Sequence, residues 1–333
     1  MAAIRLGVVG PGLIWHNAHK AIVERERKTF EVTAFCGSSA ASEERGRAEN
    51  PGARFFRDYE ELARSPLVDC VMVLTPLTLN ATVTLAALRA GKDVLVEKPM
   101  ATTTAECSQI VEEARRSGRR VVVLEQDRYS NEYRTAKEIL SSGAIGEIVL
   151  WDMLHHFVLG DQGDVSLGYG RTAWRRKGDF PLGTFMDGGI HDIAFLSGLF
   201  GAPRKVVARG RKCREGFGEY DSISVMMDYD SGLVGVLNHS GYLLPDGNYF
   251  HVRGTRGILR VEPGMAVFHR DGTKREYRLG AESGYEMLWA AVKKILVNGA
   301  PLGYELAEAA RDIATCEAIG SAIRSGAEST RVG

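Results

Sequence analysis

The 333-residue chain has no net charge, because 42 lysines and arginines balance 42 aspartates and glutamates. Without a basic excess there is no electrostatic footprint for nucleic acid or an anionic membrane, and neither is expected as a partner. Long hydrophobic runs are missing too: apolar stretches end after a few residues, far short of the roughly 20 that a spanning helix needs. A cysteine frame is also lacking. Cys36, Cys70, Cys107, Cys213 and Cys316 are odd in number, scattered and without a CxxC, which excludes a disulfide scaffold or cysteine zinc site. They read as small buried hydrophobes in a reducing cytoplasm. The eight histidines show no metal-ligand spacing, so a metal-free protein is expected. No basic and apolar leader precedes the first strand pattern, and no export signal is expected. Repeats and low-complexity segments are absent.

What is present is a soluble globular composition, 44% hydrophobic and 25% charged, in a chain long enough for about two domains. Over residues 1–125 short apolar runs alternate with helical patterns. Strands are expected at 3–9, 31–36, 53–56, 70–74, 94–97 and 120–125, which predicts a doubly wound parallel Rossmann sheet of the α/β class. Its anticipated order, 3-2-1-4-5-6, would set three turns side by side: Gly10-Pro11-Gly12, Thr75-Pro76 and Glu97-Lys98-Pro99. Gly10 and Gly12, followed by Leu13 and Ile14 at a helix start, suit the close approach of a dinucleotide pyrophosphate. Trp15 occupies the position where the fingerprint has a small residue, so that helix is displaced or the indole points away from the sheet. The second strand ends in Gly37, Ser38 and Ser39 where an acidic residue would bind a ribose hydroxyl, which favours NADP over NAD.

The strand Val94–Glu97 runs straight into charge, and Pro99 keeps Lys98 out of the next helix. Lys98 therefore stands at the mouth of the sheet, although a strand-end lysine is also an ordinary surface residue. Residues 126–333 change character. Short strands separated by glycine and aspartate turns predict an α+β domain with a largely antiparallel open sheet, serving substrate binding and oligomerisation. A helical segment over 305–325 is expected to pack back at the domain junction. Within GTFMDGGIHDIAFLSGLFG, Asp187 and His191 are four apart and would share one helix face, although a helix cap and a core histidine are the plainer readings. Gly188 and Gly189 in the first turn suggest that something approaches the backbone closely.

These pieces in this order resemble the glucose-fructose oxidoreductase, inositol dehydrogenase and rhizopine-catabolism (Gfo/Idh/MocA) family. The resemblance runs through GVVGPG at 7–12, AGKDVLVEKPM at 90–100, YRTAKEILSSGAIGEI at 133–148, DGGIH at 187–191 and GTRGILRVE at 254–262. It implies an NAD(P)-dependent dehydrogenase acting on a sugar, polyol or related cyclic alcohol, with Lys98, Asp187 and His191 carrying the chemistry. Glu97, Trp174 and Arg175 are implied as further cofactor contacts, and a homodimer or homotetramer is implied by analogy. His155 and His156 end a strand facing the cleft, where alternation turns one of the pair toward substrate and the other to the opposite face, and Tyr169 and Tyr242 are further expected substrate contacts. Many members read TPNxxH where this chain has Thr75, Pro76, Leu77, Thr78, Leu79 and Asn80. That departure, with Trp15, leaves open a non-catalytic dinucleotide sensor on the same fold.

Overall fold

A computed structural model describes residues 2–160, 168–326 and 330–332. The chain divides into two compact units: Met1–Glu125 with Leu288–Ala310, and Gln126–Met287 with Arg311–Gly333.

The first unit is the parallel sheet that the β/α alternation predicts. Its strands β1 (Ile4–Val9), β2 (Phe30–Cys36), β3 (Arg54–Phe56), β4 (Cys70–Val73), β5 (Asp93–Glu97) and β6 (Val121–Leu124) lie in the order 3-2-1-4-5-6. Helices α1 (Lys20–Arg25), α2 (Ala40–Glu49), α3 (Tyr59–Arg64), α4 (Asn80–Arg89) and α5 (Thr104–Ser117) connect them. Leu6, Val8, Met72, Val94, Leu95 and Val96 are wholly buried, the reason these strands are continuously apolar. Helix α5 starts in a Thr103/Glu106 capping box and ends at left-handed Gly118, so its limits follow local chemistry.

The second unit holds α6 (Asn131–Ser141), β7 (Ile148–His156), the short α7 (Ala173–Lys177), α8 (Ile190–Phe200) and seven further strands. Those strands are β8 (Lys205–Arg211), β9 (Ser222–Asp228), β10 (Val234–Ser240), β11 (Tyr249–Gly254), β12 (Ile258–Glu262), β13 (Met265–Arg270) and β14 (Thr273–Arg278). With β15 (Thr330–Arg331) they form a nine-stranded sheet, antiparallel except where β7 pairs with β10. Alternation along β7 sends Trp151 into the core, stacked on Phe200 of α8 at 5.9 Å, and leaves Asp152 half-exposed.

Two long helices follow, α9 (Gly284–Asn298) and α10 (Leu306–Ser325). From Leu288 onward α9 belongs to the first unit, where Trp289 packs edge-on against Phe30 at 5.1 Å. Arg120, gripped by Asp93, donates to the last-turn carbonyls of Ile295 and Leu296 at 2.9 Å each. Among the described residues the five cysteines are free, four buried and Cys213 half-buried. No helix there is long and apolar enough to cross a membrane.

Candidate functional site

The turn after β1 is built around Gly10, whose φ is +81°. A Cβ there would lie 2.7 Å from the Leu74 carbonyl oxygen, so the turn depends on glycine both for its conformation and for contact with the end of β4. Gly12 differs: a Cβ would have only the Gly10 oxygen nearby, at 3.8 Å, and the residue is exposed. The first-turn N–H groups of Leu13 and Ile14 are a donor set that fits an anionic pyrophosphate beside the exposed Gly12, whose own N–H bonds the Gly10 carbonyl at 2.7 Å. Gly10→Ala is expected to cost about 1–3 kcal/mol through left-handed strain alone. Urea unfolding checks it, and an unchanged midpoint would contradict it.

The Trp15 indole does not point away from the sheet: residues Trp15–His19 form a π turn before α1, and the buried ring lies edge-on to Phe35 of β2 at 5.9 Å. At the end of β2, Ser39 caps α2 by accepting from the Ser42 N–H, and Ser42 Oγ returns to the Ser39 backbone. A Cβ on Gly37 would strike Ser42 Oγ at 2.5 Å. The Ser39 hydroxyl, expected to meet a cofactor, is thus engaged in the cap, and no carboxylate stands among residues 37–39.

The Glu97-Lys98-Pro99 turn is tied down from two sides. From β4, Thr75 Oγ1 donates to Asn80 Oδ1 at 2.8 Å, and Asn80 Nδ2 donates to the carbonyls of Glu97 (3.0 Å) and Pro99 (2.8 Å). Asn80, in the loop that departs from the family pattern, thereby joins the second turn to the third. From the core, the Glu97 carboxylate accepts the Lys98 N–H at 3.1 Å and takes His19 Nε2 at 2.9 Å. Trp289 Nε1 reaches His19 Nδ1 at 3.0 Å. An indole N–H can only donate, so Nδ1 accepts and the His19 proton sits on Nε2, directed at Glu97.

In the second unit the expected α-helix at Asp187 is instead a π turn, Phe185–Gly189, leading into α8. Both Asp187 oxygens are engaged by Arg175, at 2.5 Å from Nε and 3.3 Å from Nη2. The guanidinium lies 4.1 Å from the Trp174 ring and 5.1 Å from that of Tyr169, so these four residues form one cluster. The glycines have a different cause from the one expected. A Cβ on Gly188 would meet Phe157 at 2.7 Å, and one on Gly189 would meet Phe185 at 2.5 Å, so aromatic rings of the protein itself fill the space.

His191 Nδ1 lies 3.4 Å from Gln126 Nε2, which also donates to Asp127 Oδ1 at 3.2 Å. Next along the helix, Asp192 is buried and bridges two imidazoles: Oδ1 to His155 Nδ1 at 2.6 Å, and Oδ2 to His239 Nδ1 at 2.7 Å. A tetrahedral ion with bonds of about 2.0–2.1 Å would hold its ligand atoms about 3.3 Å apart, so these are hydrogen bonds. Burial alone would lower the His155 pKa, but the charge and hydrogen bond of Asp192 outweigh it and raise it to about 9. For His239 burial prevails and the shift is downward. His156, on the other face of β7, has its backbone N–H and C=O bound by Asn248 at 2.9 Å each. Tyr242 is exposed, 5.4 Å from Arg214, whose partner Asp221 is buried. Residues 161–167, which precede Tyr169, lie outside the described residues.

Residues 4–125 match the family model described as "Oxidoreductase family, NAD-binding Rossmann fold", and residues 133–260 match the GFO/IDH/MocA C-terminal domain. The chain belongs to the Gfo/Idh/MocA family. As a member it is an NAD-binding oxidoreductase. Trans-1,2-dihydrobenzene-1,2-diol dehydrogenase of Mus musculus is 30% identical over 268 residues, 78% of this chain and 75% of the relative. Scyllo-inositol 2-dehydrogenase (NADP(+)) of Bacillus subtilis is 26% identical over 252 residues, 75% and 66% of the two chains. An oxidoreductase structure from Thermotoga maritima superposes with a TM-score of 0.89 at 28% identity, covering 99% of this chain and 98% of that one. The WlbA dehydrogenase of Bordetella pertussis, solved with NADH and UDP-GlcNAcA, shares the fold at a TM-score of 0.85 and 22% identity, with 99% of each chain covered.

Against this Gfo/Idh/MocA pattern, the residues that sequence reading passed over are His19, Asn80, Asp192, His239 and Trp289. Each is a single polar or aromatic residue in a buried setting, with its partner distant in sequence. Asp192 directly follows the His191 already singled out, and its place among apolar helix residues was the available signal.

Proposed function

We propose that this protein catalyses reversible hydride transfer between a nicotinamide cofactor and a secondary alcohol of a sugar, polyol or related cyclic compound. The observation that carries the reading is an unbroken path of contacts along the sheet's carboxyl edge. It runs from Gly10 to the end of β4, from Thr75 to Asn80, and from Asn80 to the turn that bears Lys98. Such a frame both cradles a dinucleotide and fixes a cation beside it.

The residues at hand suit a cofactor held at Gly10, Pro11, Gly12, Leu13 and Ile14, with Gly37, Ser38 and Ser39 near its adenosine end and Thr75, Pro76 and Glu97 further along. Trp174 and Arg175 remain proposed contacts. NADP is placed above NAD because no carboxylate stands at residues 37–39 to repel a 2′-phosphate. When bound, the nicotinamide supplies or accepts the hydride. The Lys98 ammonium stabilises oxygen as it gains negative charge. His191 contributes a hydrogen-bonding imidazole, and Asp187 orients its neighbours through Arg175. His155, His156, Tyr169 and Tyr242 are the proposed substrate contacts.

The open face of the nine-stranded sheet exposes Met226 and Ile258 and is the proposed surface for a homodimer or tetramer. Titration with NADPH and NADH, read by tryptophan quenching, is the deciding experiment, followed by oxidation assays on scyllo-inositol and trans-1,2-dihydrobenzene-1,2-diol. Tighter NADPH binding with turnover of a cyclic alcohol supports the reading. Stronger NADH binding reverses the cofactor preference, and failure to bind either removes the enzyme reading.

A further inference from the structure

We propose that His155, seated on Asp192 and backed by His239, is the imidazole that exchanges the proton with substrate, in place of His191. The inference rests on the hydride-transfer reading above. It begins with charge. Asp192 is 3% exposed, and its two oxygens each meet an imidazole Nδ1, at 2.6 and 2.7 Å. A carboxylate buried without a counter-charge costs several kcal/mol, so one of those two imidazoles carries a second proton.

His239 is the wrong host for it. Its side chain is fully buried against Phe185 (5.2 Å) and Phe157 (5.5 Å), and its Nε2 has no hydrogen-bond partner. A proton there would place an unpaired cationic N–H among rings. The second proton therefore belongs to His155, whose side chain is 34% exposed and can present Nε2–H outward. His239 Nδ1–H then fixes the Asp192 carboxylate, as the third group of a triad fixes its base. The groups facing His155 are Asp192 from α8, His239 from β10, Asp127 from the turn after β6, and His156 beside it on β7. Both carboxylates favour the charged form and both histidines oppose it, and the upward shift of His155 agrees with this assignment.

His191 is placed differently: its Nδ1 lies 3.4 Å from the Gln126 side chain, a long contact beside the 2.6 Å bond that joins His155 to Asp192. The short bond to a buried carboxylate is what suits His155 to proton exchange. In the reducing direction the carbonyl carbon accepts the hydride, so NAD(P)H becomes NAD(P)+, and the C=O π pair moves to oxygen. The resulting alkoxide forms its O–H bond with the proton from His155 Nε2, leaving neutral His155 with Nδ1–H on Asp192. Oxidation reverses each step.

The test is the pH dependence of kcat/KM for NADP+-linked oxidation of scyllo-inositol and of trans-1,2-dihydrobenzene-1,2-diol, alongside NMR titration of the histidine rings. Oxidation needs deprotonated His155, so the wild-type rate should climb as pH rises through about 9. His155→Asn should lose about 10²–10⁴-fold and with it the limb, with NADPH affinity unchanged. Asp192→Asn should move both the limb and the His155 resonance down toward the ordinary value of about 6.5. A His155→Asn enzyme that keeps the limb and most of its rate, with His191→Asn losing both, overturns the inference and leaves hydride transfer standing. A His155 resonance titrating near 6.5 in the wild type overturns it without any assay. If neither alcohol turns over with either cofactor, the hydride-transfer reading falls and takes the catalytic role of His155 with it, whatever the ring titration shows.

Discussion

Replacing Lys98 by methionine is expected to lower turnover by about 10²–10³-fold, the usual loss when one preorganised donor to a developing oxyanion is removed. Dinucleotide affinity should stay within a few-fold. The two effects separate because the main chain of the turn is held by side chains other than that of Lys98. The Lys98 main-chain N–H is held by Glu97, and the carbonyls on either side, at Glu97 and Pro99, are held by Asn80. Methionine keeps the length and apolar stem of lysine, so the turn should survive while the charge is lost. Stopped-flow turnover and NADPH titration on the same preparation measure both quantities. Near-normal turnover would remove Lys98 from the chemistry, whereas equal losses in affinity and rate would make it a cofactor contact.

Much of the first unit was legible because its physics is local and repetitive. Strands buried on both faces must be apolar throughout, and the caps at Thr103 and Gly118 and the turn glycine Gly10 carry their own signatures. The two π turns were not legible. A helix pattern of period 3.6 at Asp187 or Trp15 gives no sign of an extra residue per turn, and it is the tertiary need to seat Trp15 on Phe35 and Phe185 against His239 that accompanies it. Helix α9 escaped although Ser283 and Glu286 form a capping box, each backbone N–H bonded to the other's side chain. Strand β14 escaped because, as an almost wholly exposed edge, it has no alternation to read. At the site, spacing brought Asp187 and His191 to notice. The partners Arg175, Gln126, His155 and His239 are joined to that segment only by the fold, and no periodicity encodes contacts across 12 to 65 residues.

His19→Leu should destabilise the chain by about 2–6 kcal/mol, the cost of removing one partner from each of two buried polar groups at about 1–3 kcal/mol each. One is the Trp289 indole N–H, which loses its acceptor, and the other is the Glu97 carboxylate, which loses the Nε2–H donor. Leucine fits the volume, so the loss reports the polar link and not a cavity. Trp289→Phe separates the two halves: it removes the indole N–H, preserves an aromatic ring against Phe30, and should cost roughly half as much. Freed from Trp289, His19 could carry its proton on either nitrogen, and the directed donor to Glu97 would be lost part of the time. The Lys98 N–H shares that carboxylate, so loosening at Trp289 should reach the catalytic turn as faster amide exchange at Lys98. Urea unfolding of the full-length variants gives the first quantity and hydrogen exchange the second. A His19→Leu protein as stable as the wild type would show that Glu97 is held without the imidazole. Unchanged exchange at Lys98 in a destabilised variant would confine the link to stability and detach it from the lysine.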